Sequence, residues 1–95
     1  MTVRRFHVEG TVQGGGFRPF VHRTAAELGL DGWVANVDGH VEGEVAGPED
    51  AARSFAARLR GDAPPLARVR RVRLTDGTAS PAPGFEVRPS TLAGR

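Results

Sequence analysis

Apolar and polar residues alternate at the start of the chain, with Phe6, Val8, Gly10 and Val12 set against Arg5, His7, Glu9 and Thr11. That period of two predicts a strand over Arg4–Val12 with one apolar face. The period then changes. Phe17, Val21, Ala25 and Leu28 fall at helical spacing with Phe20 beside them, which predicts a helix over Pro19–Leu28. Pro19 suits the first helical position, where its missing N–H costs nothing. Gly29 suits a left-handed cap, with Leu30 packing back on the last turn. Trp33–Val37 reads as a second strand, with Trp33 in the core. Asp38-Gly39 is a hairpin signal, so a third strand returns antiparallel. In it Val41, Gly43 and Val45 alternate with Glu42 and Glu44, giving a solvated acidic face.

Gly47-Pro48-Glu49-Asp50 starts a second helix, with proline at its first position and two acids in its first turn. Ala51, Ala52, Phe55, Ala56 and Leu59 form its apolar stripe. Arg58 and Arg60 sit where the helix dipole favours cations, and Gly61 suits a cap. After the stiff Asp62-Ala63-Pro64-Pro65 connector, Leu66–Thr75 reads as a fourth strand. Its phase slips, because Val69 and Val72 cannot share one face of a regular strand; a bulge near Arg70-Arg71 resolves this. Phe85 and Val87 make a short last strand, and Pro89 places it at an edge. The order is β-α-β-β-α-β plus a short β. It predicts an α+β, ferredoxin-like βαββαβ sandwich: two helices on one face of a mostly antiparallel sheet, with a short extra C-terminal strand.

The 95 residues make one domain, placed at 1–90, with 91–95 as a tail or linker. No apolar run approaches the roughly 20 residues of a membrane span. The N-terminus shows no signal peptide, which points to the cytoplasm, and the isolated domain is expected to be a monomer. Without cysteine there is no disulfide or thiolate metal site. The net charge is only +2, and every basic side chain besides histidine is arginine.

Between the first strand and the first helix lies Gln13-Gly14-Gly15-Gly16-Phe17-Arg18. Three glycines let backbone N–H groups turn toward one point. The helix N-terminus favours an anion there, and Arg18 adds a permanent forked cation. Together they suit a phosphate-sized anion. The loop lacks the Lys-Ser/Thr of a P-loop and the third glycine of a dinucleotide fingerprint, so nucleotide binding is not supported. His7, His22 and His40 are scattered along the chain, with none spaced as a metal pair. No metal site and no cofactor is expected, and there is no Gly-x-Ser-x-Gly elbow.

Val12-Gln13-Gly14-x-Gly16-Phe17-Arg18, followed by Gly32-Trp33-Val34-Ala35-Asn36, resembles the signature pair of the acylphosphatases. The resemblance covers roughly residues 4 to 88. Phe17-Arg18-Pro19-Phe20-Val21 and Ala63-Pro64-Pro65-Leu66-Ala67 further resemble the N-terminal acylphosphatase-like domain of hydrogenase-maturation carbamoyltransferases, large enzymes that use carbamoyl phosphate. The likeness implies a metal-free acyl-phosphate hydrolase, with carbamoyl phosphate as the expected substrate. By the same likeness, loop N–H groups from Gln13 to Arg18 hold the phosphoryl oxygens, Arg18 neutralises them, and Asn36 orients the attacking water. Two features depart from the family pattern: Gly15 stands where Val or Thr is usual, and Gly39 follows Asn36 one residue early. They leave open a second reading, a phosphate-binding or docking domain of a larger carbamoyltransferase with little turnover of its own. A third reading is an RNA-binding module, suggested by Arg68-Val69-Arg70-Arg71-Val72-Arg73. Against it, the chain has no tyrosine and no pair of exposed strand aromatics for base stacking. No nucleic-acid or membrane partner is expected; the partners are a small acyl phosphate and, in the larger enzyme, its other domains.

Overall fold

A computed structural model describes residues 2–12, 16–65, 67–77 and 82–89. The predicted tail (91–95), the start of the fourth strand at Leu66, and Gln13, Gly14 and Gly15 of the loop lie outside the described residues. In chain order the elements are β1 (Thr2–Thr11), α1 (Phe17–Glu27), β2 (Asp31–Val37), β3 (His40–Gly47), α2 (Glu49–Gly61), β4 (Arg68–Asp76) and β5 (Phe85–Val87). The sheet runs β4-β1-β3-β2-β5. All pairs are antiparallel except β2–β5, which is parallel. This is the ferredoxin-like α+β arrangement, with the short last strand at an edge.

Alternation along the strands builds the core. Phe6 and Val8 of β1, Val34 of β2, Val41 and Val45 of β3 and Val72 of β4 are buried on one face of the sheet. Phe17, Phe20, Val21 and Ala25 of α1 and Ala52, Phe55, Ala56 and Leu59 of α2 close over them. Phe6 and Phe55 meet edge to face at 5.0 Å between ring centroids, a favoured aromatic geometry.

The ends of the elements refine the expectations. Helix α1 starts at Phe17, so Pro19 is its third residue rather than its first. The N–H that proline lacks is still one of the first-turn donors that have no partner inside the helix. At the other end Gly29 N–H donates to the Ala26 carbonyl and Leu30 N–H to that of Ala25, a Schellman closure with Leu30 buried behind it. Pro48 is the N-cap of α2, one position before its first residue. Gly61 is the last residue of that helix, and Asp62 is its C-cap.

The slip in β4 is where the sequence places it. Glu9 pairs with Arg71 and Gly10 with Val69, leaving Arg70 as the extra residue of a bulge. Gly10 has φ +134°, and a Cβ there would lie 2.0 Å from the Arg68 carbonyl oxygen. The bulge therefore needs a glycine opposite it. The β2–β3 turn carries φ of 51° at Asp38 and 87° at Gly39, as a type I′ hairpin requires. Two expectations for the open face are overturned. Glu44 is 6% exposed rather than solvated, with the Trp33 indole N–H donating to its carboxylate at 3.4 Å. Trp33 is half-buried on that face rather than in the core. The guanidinium groups of Arg88 and Arg5 lie over its ring, 4.3 and 5.7 Å from the centroid.

Candidate functional site

Gly16 forms the N-cap of α1 with φ 80° and ψ 17°. This left-handed conformation suits glycine and turns the chain from β1 into the helix. Gly16 has no side chain to cap the helix, and the first turn holds no acidic residue. Among the described residues no capping side chain or first-turn acid meets the first-turn N–H groups and the positive end of the helix dipole, an arrangement that suits an anion. Phe17 is buried and anchors the turn, with its ring 5.7 Å from that of Phe20.

Arg18 follows, half-buried. Its Nη1 donates to the Arg88 carbonyl oxygen at 3.1 Å. Arg88 in turn donates its backbone N–H to the Val34 carbonyl at 2.8 Å, just beyond the Val34–Val87 pair of the β2–β5 ladder. The guanidinium of Arg18 is thereby tied to the stretch of sheet that carries Asn36. This anchor has no signature in the sequence, because it joins residues 70 apart through a backbone carbonyl.

Asn36 lies two residues after Val34 on β2, so it shares the helix-covered face. It pairs across the sheet with Val41, which pairs onward with Val8 of β1. Asn36 is 7% exposed. Its Oδ1 is fully buried, and no hydrogen-bond donor among the described residues reaches it. Arg18 is thus linked, through Arg88 and Val34, to the strand that carries Asn36. Phe17 anchors the start of α1 in the core, and Gly16 makes its turn. A separate cleft of about 710 Å³ opens between the end of β1 and the α2–β4 connection, lined by Gly10, Thr11, Arg60, Pro64 and Arg68 among others. Neither Arg18 nor Asn36 lines it.

The opposite face of the sheet carries most of the strand charges. Desolvation acts to raise the pKa of the Glu9 carboxyl there. The hydrogen bond from Arg70 and the charges of Arg71, His7 and Arg70 outweigh it and hold the group below the usual glutamate range. Strand pairing also brings His7 and His40 into ring contact. Linear spacing concealed this, since the two lie on different strands.

Comparison with known proteins follows the same lines. The acylphosphatase family model matches residues 4–87. The acylphosphatase of Rhizorhabdus wittichii is 46% identical over 88 residues, 92% of this chain and 88% of that protein. The carbamoyltransferase HypF2 of Cupriavidus necator is 58% identical over 69 residues, 72% of this chain but 9% of that protein. A crystal structure of full-length HypF in its phosphate- and nucleotide-bound form superposes with a TM-score of 0.92 at 28% identity, covering 98% of this chain and 12% of that one. The chain therefore spans about a tenth of the length of the carbamoyltransferases it matches.

Proposed function

This chain belongs to the acylphosphatase family, and on that premise we propose that it hydrolyses acyl phosphates, carbamoyl phosphate foremost, as a cytoplasmic domain spanning residues 1–90. In the reaction the oxygen of a water attacks phosphorus while the bond from phosphorus to the acyl oxygen breaks. The bonding pair leaves with a carboxylate, or a carbamate from carbamoyl phosphate, and inorganic phosphate takes up the water oxygen. The leaving group is stable as an anion and needs no donated proton. Phosphoryl transfer of this kind asks the protein chiefly for positioning and charge stabilisation.

The roles fall to the loop and to two side chains. The N–H groups of Gln13, Gly14, Gly15, Gly16, Phe17 and Arg18 hold the phosphoryl oxygens at the N-terminal end of α1. Arg18 adds charge-assisted hydrogen bonds. Its bond to the Arg88 carbonyl occupies one Nη1 donor, and the fork offers others. Asn36 orients the attacking water by accepting a hydrogen bond from it at Oδ1. The observation that carries the reading is that buried oxygen without a partner among the described residues. Leaving such an acceptor unsatisfied costs about 1–3 kcal/mol, a cost that a role in binding the attacking water accounts for.

A second reading rests on the 58% identity to a segment of a much longer carbamoyltransferase. In it the domain binds the phosphate end of carbamoyl phosphate and passes the substrate to neighbouring domains, with little turnover. One assay separates the two. Phosphate release from carbamoyl phosphate and from an aryl acyl phosphate is measured with a chelator present, for the parent chain and for Arg18→Ala and Asn36→Ala. Turnover that survives chelation and disappears in both variants supports the hydrolase. Full rate in Arg18→Ala overturns it. Phosphate that protects the folded parent against heat without any hydrolysis assigns the docking role instead.

A further inference from the structure

On the face of the sheet away from the helices, period-two alternation places His7 of β1 and His40 and Glu42 of β3 side by side. His7 pairs directly with Glu42, and His40 precedes Glu42 by two residues on the same strand. The two imidazole rings stack with centroids 4.1 Å apart and planes 20° from parallel. The Glu42 carboxylate divides its two oxygens. Oε1 accepts from Arg5 Nη2 at 3.2 Å, while Oε2 lies 3.1 Å from His40 Nε2 and 3.8 Å from His7 Nδ1. One nitrogen from each ring and one carboxylate oxygen fall within 4.8 Å of one another. The side chains are 32%, 24% and 20% exposed for His7, His40 and Glu42, in that order. The cluster is therefore open to an ion yet held in place.

We propose that His7, His40 and Glu42 form a binding site for a divalent late transition metal such as Zn²⁺. The ligands are Nδ1 of His7, Nε2 of His40 and Oε2 of Glu42. The outer groups match what such sites use. The remaining nitrogen of His7, Nε2, lies 3.2 Å from Glu9 Oε2. A carboxylate there fixes the tautomer that leaves Nδ1 free to bind metal. Glu9 is itself held by Arg70 at 3.5 Å and Arg73 at 3.7 Å, and Arg5 orients Glu42 in the same way. Two imidazoles and one carboxylate suit Zn²⁺, Ni²⁺ or Cu²⁺ and disfavour Mg²⁺ and Ca²⁺, which take oxygen ligands. The site lies across the sheet from Arg18 and Asn36, so it does not depend on the hydrolytic reading.

The test is calorimetric titration of the tag-free chain with Zn²⁺, above the ordinary imidazole pKa of roughly 6.5. Thermal melting with and without Zn²⁺ serves as the second readout. The expected result is saturable binding of one ion per chain, a Zn²⁺-dependent rise in Tm, and neither effect with Mg²⁺. His7→Gln and His40→Gln should each weaken binding by tenfold or more, and Glu9→Gln by about tenfold, as outer-shell partners do. His22→Gln, on α1, should bind like the parent. Failure of the parent to bind Zn²⁺ overturns the proposal. So does binding that persists in the His7→Gln/His40→Gln double variant, or that falls equally in His22→Gln. Melting of each variant without metal shows that it is folded, so that lost affinity is read at the site.

Discussion

Replacing Asn36 with leucine should leave the protein about as stable as before while crippling the reaction. Asn36 sits 7% exposed opposite Val41 on the helix-covered face of the sheet, with Oδ1 buried and lacking a donor among the described residues. An unsatisfied buried acceptor costs about 1–3 kcal/mol. Leucine keeps the branched outline and has no polar atom but is bulkier, and overpacking a filled site costs about 1–3 kcal/mol. The two terms nearly cancel, so the net expectation is a change within about 1 kcal/mol, which for a domain of this size keeps Tm within about 4–8 °C of the parent. Urea unfolding should show a similar midpoint at unchanged slope, the sign of unaltered compactness. Hydrolysis of carbamoyl phosphate should fall by about 10²-fold or more, the scale on which misplacing a reacting group slows a reaction. Near-parent stability and lost turnover must appear together. A variant that loses more than about 1 kcal/mol while keeping its rate would mean that the amide is a structural hydrogen-bonding residue, and the role given to Oδ1 would fail.

Other perturbations probe the site and its frame. Arg18→Lys keeps the charge but loses the planar fork; kcat should drop by about 10²–10³-fold, as when one positioned donor is removed, with a smaller loss in affinity for inorganic phosphate. Gly10→Ala forces a Cβ to within 2.0 Å of the Arg68 carbonyl at φ +134°. It should destabilise by at least about 1–3 kcal/mol, measured by urea unfolding, and hydrogen exchange should show the loosening centred on the β1–β4 pairing. Phe55→Ala removes a fully buried ring from the edge-to-face pair with Phe6 and should cost about 3–5 kcal/mol, read from the denaturation midpoint. An equal loss on replacing exposed Ser54 with alanine would show that the core does not centre on that pair.

The elements were legible where one periodicity ran unbroken. Phe6 to Val12 reads as a strand and Ala52 to Leu59 as a helix, because each buried face repeats at the spacing its geometry demands. Even the bulge at Arg70 was visible, since Val69 and Val72 fall out of phase. Helix starts were less legible. Proline marks a first turn without fixing its first residue, and so Pro19 and Pro48 misplace their helices by one or two positions. The environment of Trp33 was not legible at all. Alternation gives its face, but that face is covered by Arg5 from β1 and by Arg88 from beyond β5. In the candidate site, a glycine loop before a helix pointed to Arg18, whereas Asn36 was singled out by the resemblance to the acylphosphatase signature pair. The Arg88 carbonyl, which ties Arg18 to the sheet, carries no signature because any residue can supply it. The His7–His40 contact was hidden for a related reason: it depends on which strands pair and in which register.

Register also separates the two chemistries this sheet supports. Val8, Val41 and Asn36 form one row across β1, β3 and β2, facing the helices. The next row, His7, Glu42 and Ala35, faces the other way. The rows are one residue apart on every strand, so a slip of a single residue on β2 would carry Asn36 out of the site and onto the open face. The tight Asp38-Gly39 turn prevents that slip. It closes the hairpin at Val37–His40 with positive φ at both turn residues and fixes Asn36 opposite Val41. The bulge at Arg70 absorbs its irregularity on β4, at the far edge, where it does not disturb the β1–β3–β2 rows. The early glycine after Asn36 thus supplies a tight turn that keeps the amide on the helix-covered face, where the proposed reaction needs it.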